Sequence, residues 1–145
     1  MKLISKISIH PLFYIVLFIT FITGYLKVFF GYTLIIIVHE LGHIFASIIL
    51  KWKIDKVIIY PFGGMTKFNQ RINSSLLEEF LILIYGPLFQ ILFYKIYPLP
   101  YHEFILLFNL LPIYPLDGSK LLYILLNNIV SFYKSFIIIF IISII

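Results

Sequence analysis

Long apolar runs separated by short polar stretches dominate the chain, and four of them approach the length of a membrane span. A helix needs about 20 apolar residues to cross a bilayer. The four runs cover approximately residues 7–26, 28–50, 80–97 and 104–127. A fifth run, 135–145, is short for a span, either by nature or by truncation. The pattern predicts an all-α membrane protein, a polytopic helical bundle of about four to five transmembrane helices. We expect a single domain over 1–145, with its core at about 28–127.

The polar segment between the second and third runs, residues 51–79, has a different periodicity. Residues 54–60 are β-branched and partly alternate between apolar and polar positions, which is typical of a strand. Pro-Phe-Gly-Gly at 61–64 is a turn signal, and residues 65–68 can return as a second strand. We therefore expect a short β-hairpin at the membrane surface. The alternative is an irregular basic loop.

Composition and charge support the membrane interpretation. The chain is 62% hydrophobic, which excludes an ordinary soluble domain, and it has no cysteine, which excludes disulfides and thiolate metal sites. Of its eleven Lys and Arg residues, five lie between 51 and 71. In this composition they indicate membrane topology rather than nucleic-acid binding. Because positive residues favour the cytoplasmic side, the N-terminus and residues 51–79 are predicted to be cytoplasmic. The first run is expected to be retained, not removed as a signal peptide.

The pentapeptide His39-Glu40-Leu41-Gly42-His43 lies inside the second apolar run. Two histidines four residues apart share one face of a helix and can bind one Zn²⁺. Glu40, beside the first histidine, is then placed to act as a general base on a zinc-bound water. Ionisable side chains are costly inside a membrane span, so they indicate a functional site. The alternative is a core helix with two hydrogen-bonded histidines.

A catalytic zinc usually has three protein ligands, so a third residue is needed. Without cysteine it must be His, Asp or Glu. Asp117 stands out because it lies deep in an apolar run, where two prolines and Gly118 break the helical pattern. Broken backbone at membrane depth is tolerated only where protein covers it or it lines a cavity. Asp117 could instead cap the helix that follows it. Other candidates lie near span ends or in the polar segment: His10, His102, Asp55, Glu78, Glu79 and Glu103.

Residues 39–43, followed by Asn-Leu-Leu-Pro-Ile-Tyr-Pro-Leu-Asp-Gly at 109–118, resemble the site-2 protease family of intramembrane zinc metalloproteases. His-Pro at 10–11, Pro-Phe-Gly-Gly at 61–64 and Gly-Pro-Leu at 86–88 extend the similarity. Within the family, the chain is most similar to the branch of stage IV sporulation protein FB, which removes the pro-sequence from a sigma factor. That branch also has further membrane segments and a C-terminal nucleotide-sensing domain, neither of which is complete here.

The resemblance implies one Zn²⁺ per chain, with His39, His43 and Asp117 as ligands and Glu40 as the catalytic base. It also implies a membrane-embedded or membrane-tethered protein substrate, such as a pro-sigma or anti-sigma factor, regulatory membrane partners and a bacterial cytoplasmic membrane location. We expect the hairpin, including Gly63 and Gly64, to bind unwound substrate by strand addition. Asn109 is a candidate for holding substrate backbone, with an interhelical hydrogen bond as the alternative.

Two other classes of function are compatible with the sequence. The chain could be a catalytically inactive or truncated relative that acts as a membrane interaction protein. It could also be a small carrier for metal ions. Transport usually needs polar groups spread along a pathway, whereas here they cluster at one depth, so the carrier ranks last.

Overall fold

The computed structural model describes residues 6–68 and 75–144, and six helices and three strands lie within these ranges. The helices are α1 (Pro11–Ile22), α2 (Leu26–Ile49), α3 (Leu76–Ile96), α4 (His102–Asn109), α5 (Asp117–Asn127) and α6 (Phe132–Ile144). The strands are β1 (Ile7–Ile9), β2 (Ile54–Tyr60) and β3 (Gly63–Phe68).

Helices α2 and α3 pack against each other at the centre of the fold. Gly42 on α2 faces the backbone of Tyr85 and Gly86 on α3, and a Cβ at Gly42 would overlap the Tyr85 carbonyl. Small residues at such crossings let two helices approach closely. Further along, Ala46 and Ile82 pack with Trp52, which follows α2. The close approach brings α3 side chains up to the histidine face of α2.

The ends of α3 fit its sequence. Ser75 precedes the helix, and its Oγ accepts a hydrogen bond from Glu78 N at 3.2 Å, which satisfies one backbone donor of the first turn. Glu78 and Glu79 in that turn, and Lys95 in the last, complement the helix dipole. The helix continues through Pro87. It is 21 residues long and, with the 24-residue α2, is apolar and long enough to cross a membrane.

A three-stranded sheet lies against α2, in the order β1-β2-β3. Strands β2 and β3 are antiparallel, with Tyr60 opposite Gly63, so the hairpin predicted in the polar segment is confirmed. Strand β1 adds to β2 in parallel, with Ile7 opposite Val57. Val57 and Ile54 pack against Ile44 of α2. The sheet is thereby fixed beside the central helix.

The first predicted run, 7–26, is not one helix. Its first residues form β1, because their backbone pairs with β2, and the chain turns at Gly24, where φ is 78°. Helix α1 between them has only 12 residues, starting with Pro11 after the N-cap His10. Assigning all 20 residues to a span was therefore wrong. The apolar run could not reveal a strand whose partner lies some 50 residues away.

The last predicted full-length run, 104–127, is also divided. Helix α4 ends at Asn109 and α5 begins at Asp117, with the two prolines in the loop between them. The loop backbone finds a partner on α6, because Tyr114 N donates to Ser143 Oγ at 2.8 Å. The predicted break around the prolines is therefore confirmed.

The number of membrane spans stays a prediction. In the ranges that the structure describes, α2 and α3 have the length of a span, whereas α1 and α6 are apolar helices of 12 and 13 residues. Large apolar side chains cover the outside, among them Phe18 and Ile22 on α1. Such a surface is unusual for a soluble monomer. Lys2 and Arg71, which supported the predicted orientation, lie outside the described residues.

Candidate metal centre

Helix α2 carries three ionisable side chains into the centre of the fold. His39, Glu40 and His43 are at most 6% exposed. The spacing of four residues puts the two histidines one turn apart on the same face, and their ring centroids are 4.9 Å apart. Glu40 is offset by about 100° around the helix. One potential ligand atom from each of the three residues lies within 4.8 Å of the others.

Asp117, the first residue of α5, meets both histidines. Its Oδ2 lies 2.9 Å from His39 Nε2 and 2.9 Å from His43 Nε2, and Lys120 Nζ donates to its Oδ1 at 3.3 Å. Gly118 makes this approach possible, since a Cβ there would overlap the carbonyl of Leu110. The side chain that we considered as a helix cap therefore points to the histidine pair. None of the other third-ligand candidates lies at hydrogen-bond distance from either histidine ring.

Hydrogen bonds fix the orientation of both imidazoles. His43 Nδ1 lies 2.8 Å from the Ile82 carbonyl, which can only accept, so Nδ1 is the donor. His39 Nδ1 lies 2.9 Å from Gln90 Oε1. Gln90 Nε2 donates to the His102 carbonyl at 2.8 Å, which turns Oε1 towards His39. With Nδ1 engaged in this way, Nε2 is the atom that each ring presents to Asp117, and in the neutral form of the ring it carries a lone pair. Such outer hydrogen bonds are typical of histidines that bind metals.

The potential ligand atoms of this cluster fit a divalent metal ion. Two Nε2 lone pairs and a carboxylate oxygen converge, and these acceptors repel one another unless protons or a metal ion lie between them. Ligands of tetrahedral zinc lie about 3.3 Å apart, as follows from bond lengths of about 2.0–2.1 Å, so the observed 2.9 Å needs only a small expansion. A cavity of about 10 Å³ adjoins Glu40, His43 and Asp117. Two nitrogens and one oxygen, without thiolate, suit Zn²⁺.

Strand β3 holds the Glu40 carboxylate. Thr66 Oγ1 donates to Glu40 Oε2 at 2.6 Å, and both residues are buried. Gly64 lies two residues away on the same face of the strand, and a Cβ there would overlap the carboxylate. Thr66 and Gln90 are not among the site residues predicted from the sequence. The period-two alternation of β3 could have placed Thr66 beside Gly64, whereas the sequence held no comparable signal for Gln90.

The other residues considered as a third ligand make contacts away from the two histidines. His10 Nδ1 caps α1 by accepting from Leu12 N at 3.2 Å, and its ring stacks on Tyr60. The ring of His102 packs against Tyr94. Glu78 accepts a hydrogen bond from Trp52 Nε1 at 2.9 Å. The side chains of the other candidates lie elsewhere: Asp55 and Glu103 are exposed, and Glu79 is half-buried at a separate cavity.

The three residues predicted to bind substrate lie close to the centre. Asn109 is the last residue of α4 and is 6% exposed. Its Oδ1 would be 3.7 Å from a Cβ built at Gly63, which starts β3. Gly64 follows, against the Glu40 carboxylate. Gly64 thus lies against the general-base candidate, and Asn109 lies near the neighbouring Gly63.

Comparisons with known proteins agree with this geometry. The sequence model of peptidase family M50 matches residues 27–98, which contain the pentapeptide at 39–43. Stage IV sporulation protein FB of Bacillus subtilis is 35% identical over 93% of this chain. The chain belongs to peptidase family M50, the site-2 protease family. Family M50 comprises membrane-embedded metallopeptidases, and the two long apolar helices fit that class.

Other M50 relatives extend the comparison. A zinc metalloprotease of Methanocaldococcus jannaschii is 29% identical over 69% of the chain. The solved structure of a site-2 protease from that organism superposes with a TM-score of 0.69 at 24% identity, covering 89% of this chain and 70% of the other, and so shows the same fold. The chain spans 52% of the length of the Bacillus protein and 34% of the length of the archaeal metalloprotease.

Proposed function

We propose that this chain is an intramembrane zinc metalloendopeptidase that cleaves a membrane-embedded or membrane-tethered protein. The observation that carries the proposal is the convergence of His39 Nε2, His43 Nε2 and Asp117 Oδ2 beside a buried glutamate. That arrangement provides three ligands and a separate base, the set that zinc hydrolysis requires. Membership of family M50 supports the same class of chemistry.

In this proposal His39, His43 and Asp117 hold one zinc ion, and Glu40 is the base. A bound zinc ion acidifies water to a pKa of about 7 and polarises a carbonyl. Asp117 is assigned as the ligand because its Oδ2 faces both Nε2 atoms. Glu40 is assigned as the base because Thr66 and Gly64 hold its carboxylate at the side of the cluster.

Glu40 moves the proton in the proposed reaction. Its carboxylate takes a proton from the attacking water as the oxygen–carbon bond forms, and it delivers that proton to the amine nitrogen as the carbon–nitrogen bond breaks. The hydrogen bond from Thr66 stabilises the charged carboxylate and fixes its position. A base that is already positioned needs no reorganisation at the moment of transfer.

Strand β3 is the proposed platform for substrate. A transmembrane helix hides its amide bonds in helical hydrogen bonds, so it must unwind before cleavage. In the described sheet β3 is at the edge, and an extended peptide can add to such an edge through main-chain hydrogen bonds. Gly63 and Gly64 give that peptide room near Glu40. Asn109 is assigned to hold the peptide backbone or a developing oxyanion, and its proximity to Gly63 supports that assignment.

The biological setting that we propose is a bacterial cytoplasmic membrane, crossed several times by one domain, with the N-terminus and the hairpin segment on the cytoplasmic side. The lysine distribution supports this orientation. The substrate in this proposal is a pro-sigma factor or an anti-sigma factor, and similarity to the sporulation protein supports this class. Regulatory membrane partners are part of the same proposal.

Co-expression with candidate membrane-tethered factors tests the function. The wild type should cleave a substrate, and Glu40→Gln should keep about one zinc per chain but lose cleavage by roughly 10⁴-fold, because the proton carrier is gone while the ligands remain. Zinc is measured in purified protein by atomic absorption, and cleavage by immunoblotting. If Glu40→Gln cuts at a rate near the wild type, the mechanism is wrong. If neither form cuts any tethered factor, the chain is a non-enzymatic interaction protein.

A further inference from the structure

A second cavity, of about 240 Å³, adjoins the metal centre. Its wall is mainly apolar and comes from α3, α5 and the ends of the hairpin segment: Trp52, Phe68, Ile82, Leu83, Tyr123 and Ile124. Thr66, Glu79 and Lys120 also line it. Thr66 and Lys120 border the small cavity at Glu40 and Asp117 as well. The two cavities are therefore neighbours, and Thr66, whose hydroxyl binds Glu40, lines both of them.

The volume and the wall indicate what this cavity can hold. An engineered apolar cavity of about 150 Å³ stays dry and takes up benzene, so 240 Å³ is enough for one ring or one branched aliphatic side chain. Aromatic and aliphatic walls with few polar groups are typical of sites for apolar ligands. A path that only conducted water would need polar partners along its length. The chemistry of the wall favours an apolar side chain as the occupant.

We propose that this cavity is a substrate subsite that binds one large apolar side chain, aromatic or branched aliphatic, of a residue next to the scissile bond. The assignment rests on the proposed function, since it supposes that a peptide lies along β3 past Glu40. A side chain that filled the cavity would keep the peptide backbone close to Thr66 and hence to the base. The subsite thereby selects substrates and fixes their register.

Trp52 provides a direct readout of occupancy. It is the only tryptophan in the chain, it is 8% exposed, and it forms part of the cavity wall. Its Nε1 donates to Glu78, and its ring packs edge-on against Phe68 at a centroid distance of 5.8 Å, so its position is fixed. A bromine atom in contact with an indole quenches its fluorescence. Binding in the cavity can therefore be measured without any cleavage.

The binding experiment uses the zinc-loaded full chain carrying Glu40→Gln, in detergent, with an acetylated tripeptide whose central residue is 4-bromophenylalanine. We expect saturable quenching of Trp52. The same peptide with phenylalanine should compete, and the alanine peptide should compete about tenfold more weakly or worse, because it buries less apolar surface. Quenching that does not saturate, or equal competition by the alanine peptide, would overturn the subsite.

Two variants on α5 locate the binding. Ile124 is buried in the cavity wall, and Ile124→Phe should fill the space and weaken binding of the bromophenylalanine peptide about tenfold. Leu125→Phe makes the matched change on the neighbouring residue, which is 57% exposed, and should leave binding unchanged. If Ile124→Phe fails to fold, Ile124→Ala enlarges the cavity and should favour a naphthylalanine peptide over the phenylalanine peptide. Equal quenching in both phenylalanine variants would mean partition into detergent only and would refute the subsite.

Cleavage of a proteome-derived peptide library separates this inference from the proposed function. The wild type should cut next to large apolar residues, and Ile124→Phe should shift the preference to small ones. Cleavage by the wild type without such a preference refutes the subsite and leaves the peptidase intact. Saturable quenching of Trp52, together with equal background cleavage by the wild type and Glu40→Gln, supports the binding site and refutes the peptidase.

Discussion

His39 and His43 lie on one helix, one turn apart, whereas Asp117 reaches them from a helix that begins 74 residues after His43. The geometry of α2 alone places the histidine pair. The carboxylate depends on the loop between α4 and α5, on the missing side chain of Gly118 and on packing against α3. The two sides of the centre should therefore respond differently to mutation. The histidine pair depends only on α2 and should tolerate changes elsewhere in the fold. The position of the Asp117 carboxylate depends on contacts between several segments and should be more sensitive to such changes.

Removal of Asp117, the ligand that comes from a distant segment, should have the largest effect on zinc binding and cleavage. Asp117→Ala should lower zinc affinity by at least about 100-fold and abolish cleavage, because one of three ligands is lost. Competition with a chromophoric chelator measures the affinity. Glu103→Ala removes an exposed acid from α4 and is the matched control, with zinc affinity expected to stay as in the wild type. An Asp117→Ala protein that kept both zinc and activity would show that the third ligand is another residue.

An intermediate effect is expected where α3 orients a histidine of α2. Gln90→Leu removes the acceptor of His39 Nδ1, so zinc affinity should fall by about 10–100-fold. Gln90→Glu keeps an acceptor for the imidazole but cannot donate to the His102 carbonyl, and it should retain most of the affinity. The same chelator competition measures both variants. Equal losses in Leu and Glu would show that packing, not the hydrogen bond to His39, is what Gln90 provides.

The smallest effect should come from β3, which touches the base but no ligand. Thr66→Val is close to isosteric and removes the donor to Glu40 Oε2, so kcat should fall by about tenfold, as expected for a positioned hydrogen bond to a charged group. Zinc content should be unchanged, and Thr66→Ser should restore most of the rate. Steady-state kinetics on any cleaved substrate provide the measurement. A fall in the zinc content of Thr66→Val would show that Thr66 supports metal binding rather than the position of Glu40.

These differences also explain how far the sequence could predict the structure. His39, Glu40 and His43 form a signal within five residues, which requires only that the segment is helical. Asp117 was found because prolines and a glycine interrupt an apolar run around it. The hairpin was visible in the alternation of residues 54–60, which is confirmed by β2.

The missed features all depend on contacts between distant segments. Strand β1 exists because Ile7–Ile9 pairs with β2, and an apolar run cannot show such a partner. Gln90 is one polar residue on a long apolar helix, and only the α2–α3 packing gives it its role. Thr66 acquires its role in the same way, from the side of α2 on which β3 lies. Local periodicity predicts helices and strands. The residues that hydrogen-bond to the site residues can be identified only once the tertiary structure is known.

The separation of 78 residues between His39 and Asp117 has a consequence for biosynthesis. A ribosome adds about 5–20 residues per second, so Asp117 is made roughly 4–16 s after His39. During that interval the nascent chain carries the histidine pair and Glu40 but lacks the carboxylate that completes the proposed zinc site. The proposed zinc site therefore cannot be complete, and the proposed peptidase cannot act, before the start of α5 has been made.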